Sequence, residues 1–150
     1  MKSALLPPSS KAAYAGSWAS VIFLGVFAVL TVGPGMIHSF LPDGGAESIA
    51  GMTLGDDRST VIGTFAWAGA TQIVWGLAMM AVALRYPTLT PLFLLLILLE
   101  RGLLVTRWWI LAPPSSGHHP PEHYTSLVVI PLVALFLALA LRRRFSAPAL

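Results

Sequence analysis

The chain has 150 residues, 56% hydrophobic and only 10% charged, whereas a soluble domain carries about 25% charged residues. So little charge does not suffice for a surface that faces water throughout. The 9 Lys and Arg residues gather mainly at the ends of apolar runs, which is a pattern of membrane topology and not of a nucleic-acid-binding patch; the absence of Cys excludes disulfides, thiolate chemistry, Cys-ligated zinc and Fe–S clusters.

Four windows meet the need of a spanning helix for about 20 mostly apolar residues: 17–37, 61–84, 88–112 and 121–141. They predict an all-α protein: a single integral membrane domain over 1–150, a four-helix transmembrane bundle with a partly structured outer loop between helices 1 and 2. The first window reads as a span and not as a signal peptide, because the run is long and no A-x-A site follows it. "GPG" at 33–35 is expected to loosen or end the first helix. The connection over 38–60 mixes Phe40, Leu41, Ile49, Met52 and Leu54 with turn residues. It predicts a short interfacial or re-entrant helix near 46–53, covered by protein or wet.

"DDRST" at 56–60 offers N-caps for the second helix. "YPTLTP" turns the chain into the third, with Pro91 in its first turn. The fourth begins at Pro121, with Glu122 near the positive end of the helix dipole, and Pro131 lies deep enough to kink it. In this arrangement Lys2, Lys11, Arg85, Arg142, Arg143 and Arg144 share one side and only Arg58 lies on the other. The positive-inside rule then puts both termini in the cytoplasm. Tyr14, Trp18 and Tyr86 mark the inner interface, and Trp108, Trp109 and Tyr124 the outer one.

The third window, "LLLILLERGLLVTRWW", carries three charges. An ionisable group in mid-span costs a few kcal/mol, so Glu100 should face the bundle, a polar cavity or a partner. Glu100 and Arg107 are seven residues apart, about 10 Å along one helix face, too far for direct pairing. Arg101 points about 100° away and reaches Glu100 or another helix by its length. Arg107 can snorkel to the outer surface. In the second window, "GATQIVWG" puts Thr71 and Gln72 at a depth comparable to Glu100, beside glycines that admit a neighbouring backbone. Thr71, Gln72, Glu100 and Arg101 are therefore expected to form a mid-membrane polar cluster. Its role stays open between a structural clasp, a ligand-headgroup or proton-relay site, and a contact with another subunit. Trp67 and Trp75, two turns apart, line either packing or a flat apolar pocket for a quinone ring or a lipid.

"GHHPPEHY" brings His118, His119, Glu122 and His123 to the outer side, where His38 also falls. Imidazoles and a carboxylate are ligands for zinc, copper or iron. The spacing matches no known ligand motif, and the extended Pro-Pro step is expected to prevent a helical i, i+4 pair. The expectation is a solvated loop with a helix-start acid and no bound metal or haem, and a metal or haem site or a pH-sensitive or partner-binding surface are the alternatives. No nucleophile elbow, Walker loop or dinucleotide fingerprint is present.

The Gly-bearing first span "VIFLGVFAVL", the loop that ends it and the second span "ATQIVWGLAMMAVAL" resemble the DoxX-like group of small four-helix bacterial membrane proteins. That resemblance implies the bundle and a bacterial inner membrane. It implies no catalytic motif, but some members are associated with quinone-linked redox systems. The expected function is a non-catalytic accessory subunit or a binder of a lipid or small ligand such as a quinone. A quinone-linked redox component and a small transporter are the alternatives. The expected partners are the bilayer and another membrane protein or a second copy of the chain. A transporter often shows inverted repeats, and none is visible.

Overall fold

The computed structural model describes residues 5–115, 117 and 119–142. Among these there is no strand. Helix α1 spans Trp18–Phe40 and α2 Arg58–Arg85. Helix α3 spans Thr90–Val105 and runs on into a π-helical turn over Thr106–Leu111, and α4 spans Pro121–Leu141. Four segments are long and apolar enough to cross a membrane: Trp18–Phe40, Gly55–Arg85, Pro87–Leu111 and Pro121–Leu141. They agree with the four sequence windows to within a few residues at most ends.

The helices run up and down, so the chain has a terminal end (residues 5–17, the 86–89 turn and Arg142) and a loop end (41–57 and 112–120). Close backbone approaches are densest between α1 and α2 and next between α3 and α4, whereas the backbones of α2 and α3 seldom come close although only a short turn joins them. The bundle is thus two hairpins, joined mainly through α1. The buried cluster of Leu24, Ala28, Met79, Val82, Leu94, Ile97, Val133 and Ala140 draws on the terminal halves of all four helices. Phe23 stacks on Phe136 at 4.1 Å and Trp75 on Phe93 at 5.2 Å, while the Ser20 hydroxyl donates to the Phe136 carbonyl at 2.7 Å. Large apolar side chains such as Ile22, Val29, Leu30, Val74, Leu77, Leu84, Leu103 and Ile110 are exposed. A water-facing monomer rarely shows so extended an apolar surface.

In hydrocarbon, apolar side chains gain little by leaving lipid for protein, so close backbone packing must hold helices together. At the α1–α2 crossing it does. A Cβ on Gly35 would stand 3.0 Å from the Gly69 carbonyl oxygen, and one on Gly69 would stand 2.7 Å from the Gly35 oxygen. This contact corrects the expectation that "GPG" ends the first helix. Pro34 removes one backbone donor, yet α1 continues to Phe40, because the stretch beyond Pro34 is seated on α2. A neighbouring helix makes a helical proline tolerable.

The connection between α1 and α2 also differs from expectation. Residues 42–50 form successive turns and no helix. Asp43, nearly buried, accepts from the amides of Gly45 (3.0 Å), Glu47 (3.2 Å) and Ser48 (2.7 Å). Gly44 and Gly45 take positive φ of 62° and 79°, a conformation costly for any side chain with a Cβ. Hydrogen bonds from Ser48 and Gly45 hold the Asp43 carboxyl down at about 2. The His38 ring donates from Nδ1 to the Gly44 carbonyl at 2.6 Å and meets Phe65 edge-on. Arg58 pairs with Glu47 at 3.0 Å, and "DDRST" supplies no side-chain cap to α2.

At the terminal end, residues 7–10 lie across the α2–α3 turn as a strap. Ser10 N and Ser9 Oγ both donate to the Arg85 carbonyl, at 3.0 and 2.9 Å. Arg85 Nε and the Tyr86 hydroxyl donate to the Pro7 carbonyl, at 3.2 and 2.8 Å.

Candidate functional site at the loop end

Polar and aromatic side chains converge where α3 gives way to its π-helical turn and α4 begins. A π-helical turn fits more residues into each revolution, so neighbours along the chain diverge less in direction. Trp108 and Trp109 are consecutive, yet both meet the start of α4. Trp108 stacks on His123 at 5.0 Å and Trp109 on His119 at 4.0 Å, with ring planes 21° and 4° apart.

The start of α4 explains the histidines. Pro120 is the N-cap and Pro121 the first helical residue. His119 therefore precedes the cap and folds back over the first turn, as a residue there does in a hydrophobic staple. It meets Tyr124 edge-on at 5.9 Å, and its Nδ1 lies 2.9 Å from Nδ1 of His123. The i, i+4 pair that the Pro-Pro step was expected to prevent is therefore made. One Nδ1 of such a pair donates and the other accepts.

Arg101 is the charged centre below this cage. Its side chain is 11% exposed and donates from Nη1 to Glu122 Oε1 at 3.0 Å. Nη1 also reaches Ser126 Oγ at 3.4 Å, and that hydroxyl donates to the Glu122 carbonyl at 2.9 Å. Glu100 stands only loosely by, 3.9 Å from Arg101 Nη2. Among the described residues, Arg101 Nε and Trp109 Nε1 are buried donors with no hydrogen-bond partner.

The polar cluster expected in mid-bundle is not assembled. Thr71 is exposed and its hydroxyl donates to the Trp67 carbonyl of its own helix at 3.1 Å. Gln72 faces α1, where its Cβ lies beside Gly35, and its buried Oε1 has no hydrogen-bond partner among the described residues. Arg101 turns to α4. The reason is the hairpin pairing: the backbones of α2 and α3 seldom come close, so large rings such as Trp75 and Phe93 meet across them while Gln72 and Arg101 turn to the partners within their own hairpins. Trp67 and Trp75 do not share a pocket either, since Trp67 is 74% exposed and Trp75 packs on Phe93. Arg107 is exposed, its guanidinium 5.1 Å from the centre of the Trp108 ring. His38 serves the 42–50 turns, and His118 lies outside the described residues.

A cleft of about 730 Å³ opens between the hairpins at this end, lined by Met52, Phe65, Trp108, Pro120, Glu122 and His123 among others. A second cavity, of about 30 Å³, lies between the Trp108–Trp109 turn and the first turns of α4, with Ser126 in its wall; its volume is enough for a water molecule. Sequence reasoning missed Ser126, Phe65 and the stacking of the tryptophans on the histidines. The spacing of Ser126 four residues after Glu122 was a usable signal, since both then fall on one face of α4.

No family model matches the chain, and no curated protein or solved structure matches it significantly.

Proposed function

We propose that this is a small bacterial inner-membrane protein, both termini cytoplasmic, that binds the flat polar head of a lipid-soluble molecule at its loop end. It acts as a non-catalytic binder or accessory subunit, and a quinone is the head chemistry that fits best. The observation that carries the reading is the cleft. Its volume falls within the range of small-molecule sites, which are mostly apolar with a few oriented polar groups. Phe65 and Trp108 line it with aromatic rings, and His123 and Glu122 with polar groups. The position of the basic residues Lys11, Arg85 and Arg142 at the terminal end supports the orientation. The DoxX-like resemblance agrees with this assignment and is part of the proposal.

The test is solvent extraction of protein purified in mild detergent, with mass spectrometry of what is released. Titration with a short-chain benzoquinone, followed by tryptophan fluorescence, accompanies it. A ring-bearing lipid-soluble molecule should copurify, and quenching should saturate; both should fall in Phe65→Ala and Trp108→Leu. Bulk phospholipid alone, with linear unsaturable quenching, would sink the reading. A reporter inserted at Gly51 that reads cytoplasm would reverse the orientation.

A further inference from the structure

We propose that the exposed face of α3 around Glu100 docks against a spanning helix of a different membrane protein, one that carries a lysine or arginine at the same depth. Glu100 lies close to the middle of the apolar segment Pro87–Leu111, yet its side chain is 44% exposed. Leu96 and Leu103, four residues before it and three after, are exposed as well, as is Arg107 seven residues on. That spacing puts all four on one side of the helix. The leucines suit lipid. The carboxyl does not, because an ionisable group at this depth is costly unless it meets protein, water or a partner.

The bundle does not supply a full counter-charge. Among the described residues Glu100 makes an ion pair with Arg101 alone, and Arg101 serves two carboxylates: Glu122 at 3.0 Å and Glu100 at 3.9 Å. Two acids share one guanidinium, so one negative charge is unmatched. Arg107 does not match it, since it stands about 10 Å further along the axis with its guanidinium against the Trp108 ring. A second copy of the chain does not match it either. Copies in one membrane share one orientation, so a two-fold pair through this face sets equal depths against each other, Glu100 against Glu100 and Arg107 against Arg107. A Lys or Arg on a foreign helix completes the set, and the attraction is strong in a surrounding of low dielectric. The inference rests on the chain spanning the membrane and gives the accessory-subunit reading a partner of stated chemistry; it does not depend on what fills the cleft.

The experiment places a photoreactive residue at Leu103 of the full chain, in membranes of the cells that make it, with the exposed Val128 of α4 as the control position. The membranes are first washed with alkaline carbonate. Release of the chain would remove the membrane reading and this proposal together. The expected result is a retained chain that light links from position 103, and not from 128, to a spanning segment of another protein with Lys or Arg near its middle. Glu100→Lys should cut the yield roughly tenfold or more, because removing one partner of a buried charge pair weakens binding by at least that factor, and replacing the partner's basic residue by Glu should restore it. Glu100→Gln, which keeps size and hydrogen bonding, should lower the yield too. A retained chain that links from position 103 only to lipid, to a second copy, or to a helix without Lys or Arg overturns the proposal and leaves the membrane reading standing. An undiminished yield in Glu100→Gln does the same, and this conservative variant decides the matter even if Glu100→Lys fails to fold.

Discussion

Replacing Gly69 by Ala sets two effects of opposite sign against each other. Alanine is the better helix former by at most about 1 kcal/mol. The new methyl, however, would lie 2.7 Å from the Gly35 oxygen, the His38 Cβ and the Ser39 Oγ, about 0.7 Å short of ordinary contact at 3.4 Å. Two of these neighbours are fixed: one is backbone, and the other is a Cβ on the helix that must move. Relief therefore means parting α1 from α2, and a gap of 0.5–1 Å forfeits a quarter to a half of each dispersion contact it opens. Overpacking of this kind costs about 1–3 kcal/mol, so the net effect is destabilising by roughly 1–2 kcal/mol. Gly63 lies on the same helix, and a Cβ there meets nothing within 4 Å; Gly63→Ala should be neutral or stabilising by up to about 1 kcal/mol. Unfolding in mixed micelles, titrated with a denaturing detergent and followed by circular dichroism, measures both. Equal stability of the two variants would refute the claim that backbone proximity holds this hairpin.

Glu122→Ala leaves Arg101, only 11% exposed, with a weak Ser126 contact and the loose Glu100 ion pair at 3.9 Å, and should cost about 1–2 kcal/mol, less than a fully buried pair because the Glu122 side chain is half exposed. Arg101→Met leaves Glu122 free to hydrate and should cost less; the reverse order of melting temperatures would show that the pair does not anchor α3 to α4. Asp43 titrates at about 2 when folded, below its unfolded value near 3.9, so its contribution is complete above about pH 4 and is lost as pH falls towards 2. Asp43→Asn should accelerate hydrogen exchange at the Gly45, Glu47 and Ser48 amides at neutral pH, and unchanged protection would mean that the carboxylate does not organise these turns.

Composition and apolar run length were enough to find the four helices, because a long apolar run has few other uses. What failed was the reading of tertiary partners from local pattern. "GPG" is a local breaker, but the seat that Gly69 offers to Gly35 outweighed it. The segment 46–53 carries apolar residues at helical density, whereas the preceding Asp43, Gly44 and Gly45 set turns that consume the backbone donors. That turn signature was present in the sequence and was outweighed by the apolar count. The polar residues of α2 and α3 were matched by depth, although nothing in the sequence states which helices pair. The histidine geometry depended on a residue before the N-cap folding back, an arrangement that the Pro-Pro step permits and does not announce.

The strap at the terminal end fixes a temporal order on assembly. Ser9 bonds the Arg85 carbonyl across 76 residues of chain, so residues 7–10 leave the ribosome well before their partner exists. At ordinary elongation rates the wait is roughly 4–15 s. During it the nascent chain carries an unclasped N-terminal segment, available to any factor that meets emerging chains. Closure comes only after α2 is complete, which makes the strap a latch on the finished first hairpin and leaves its nucleation to the α1–α2 crossing itself.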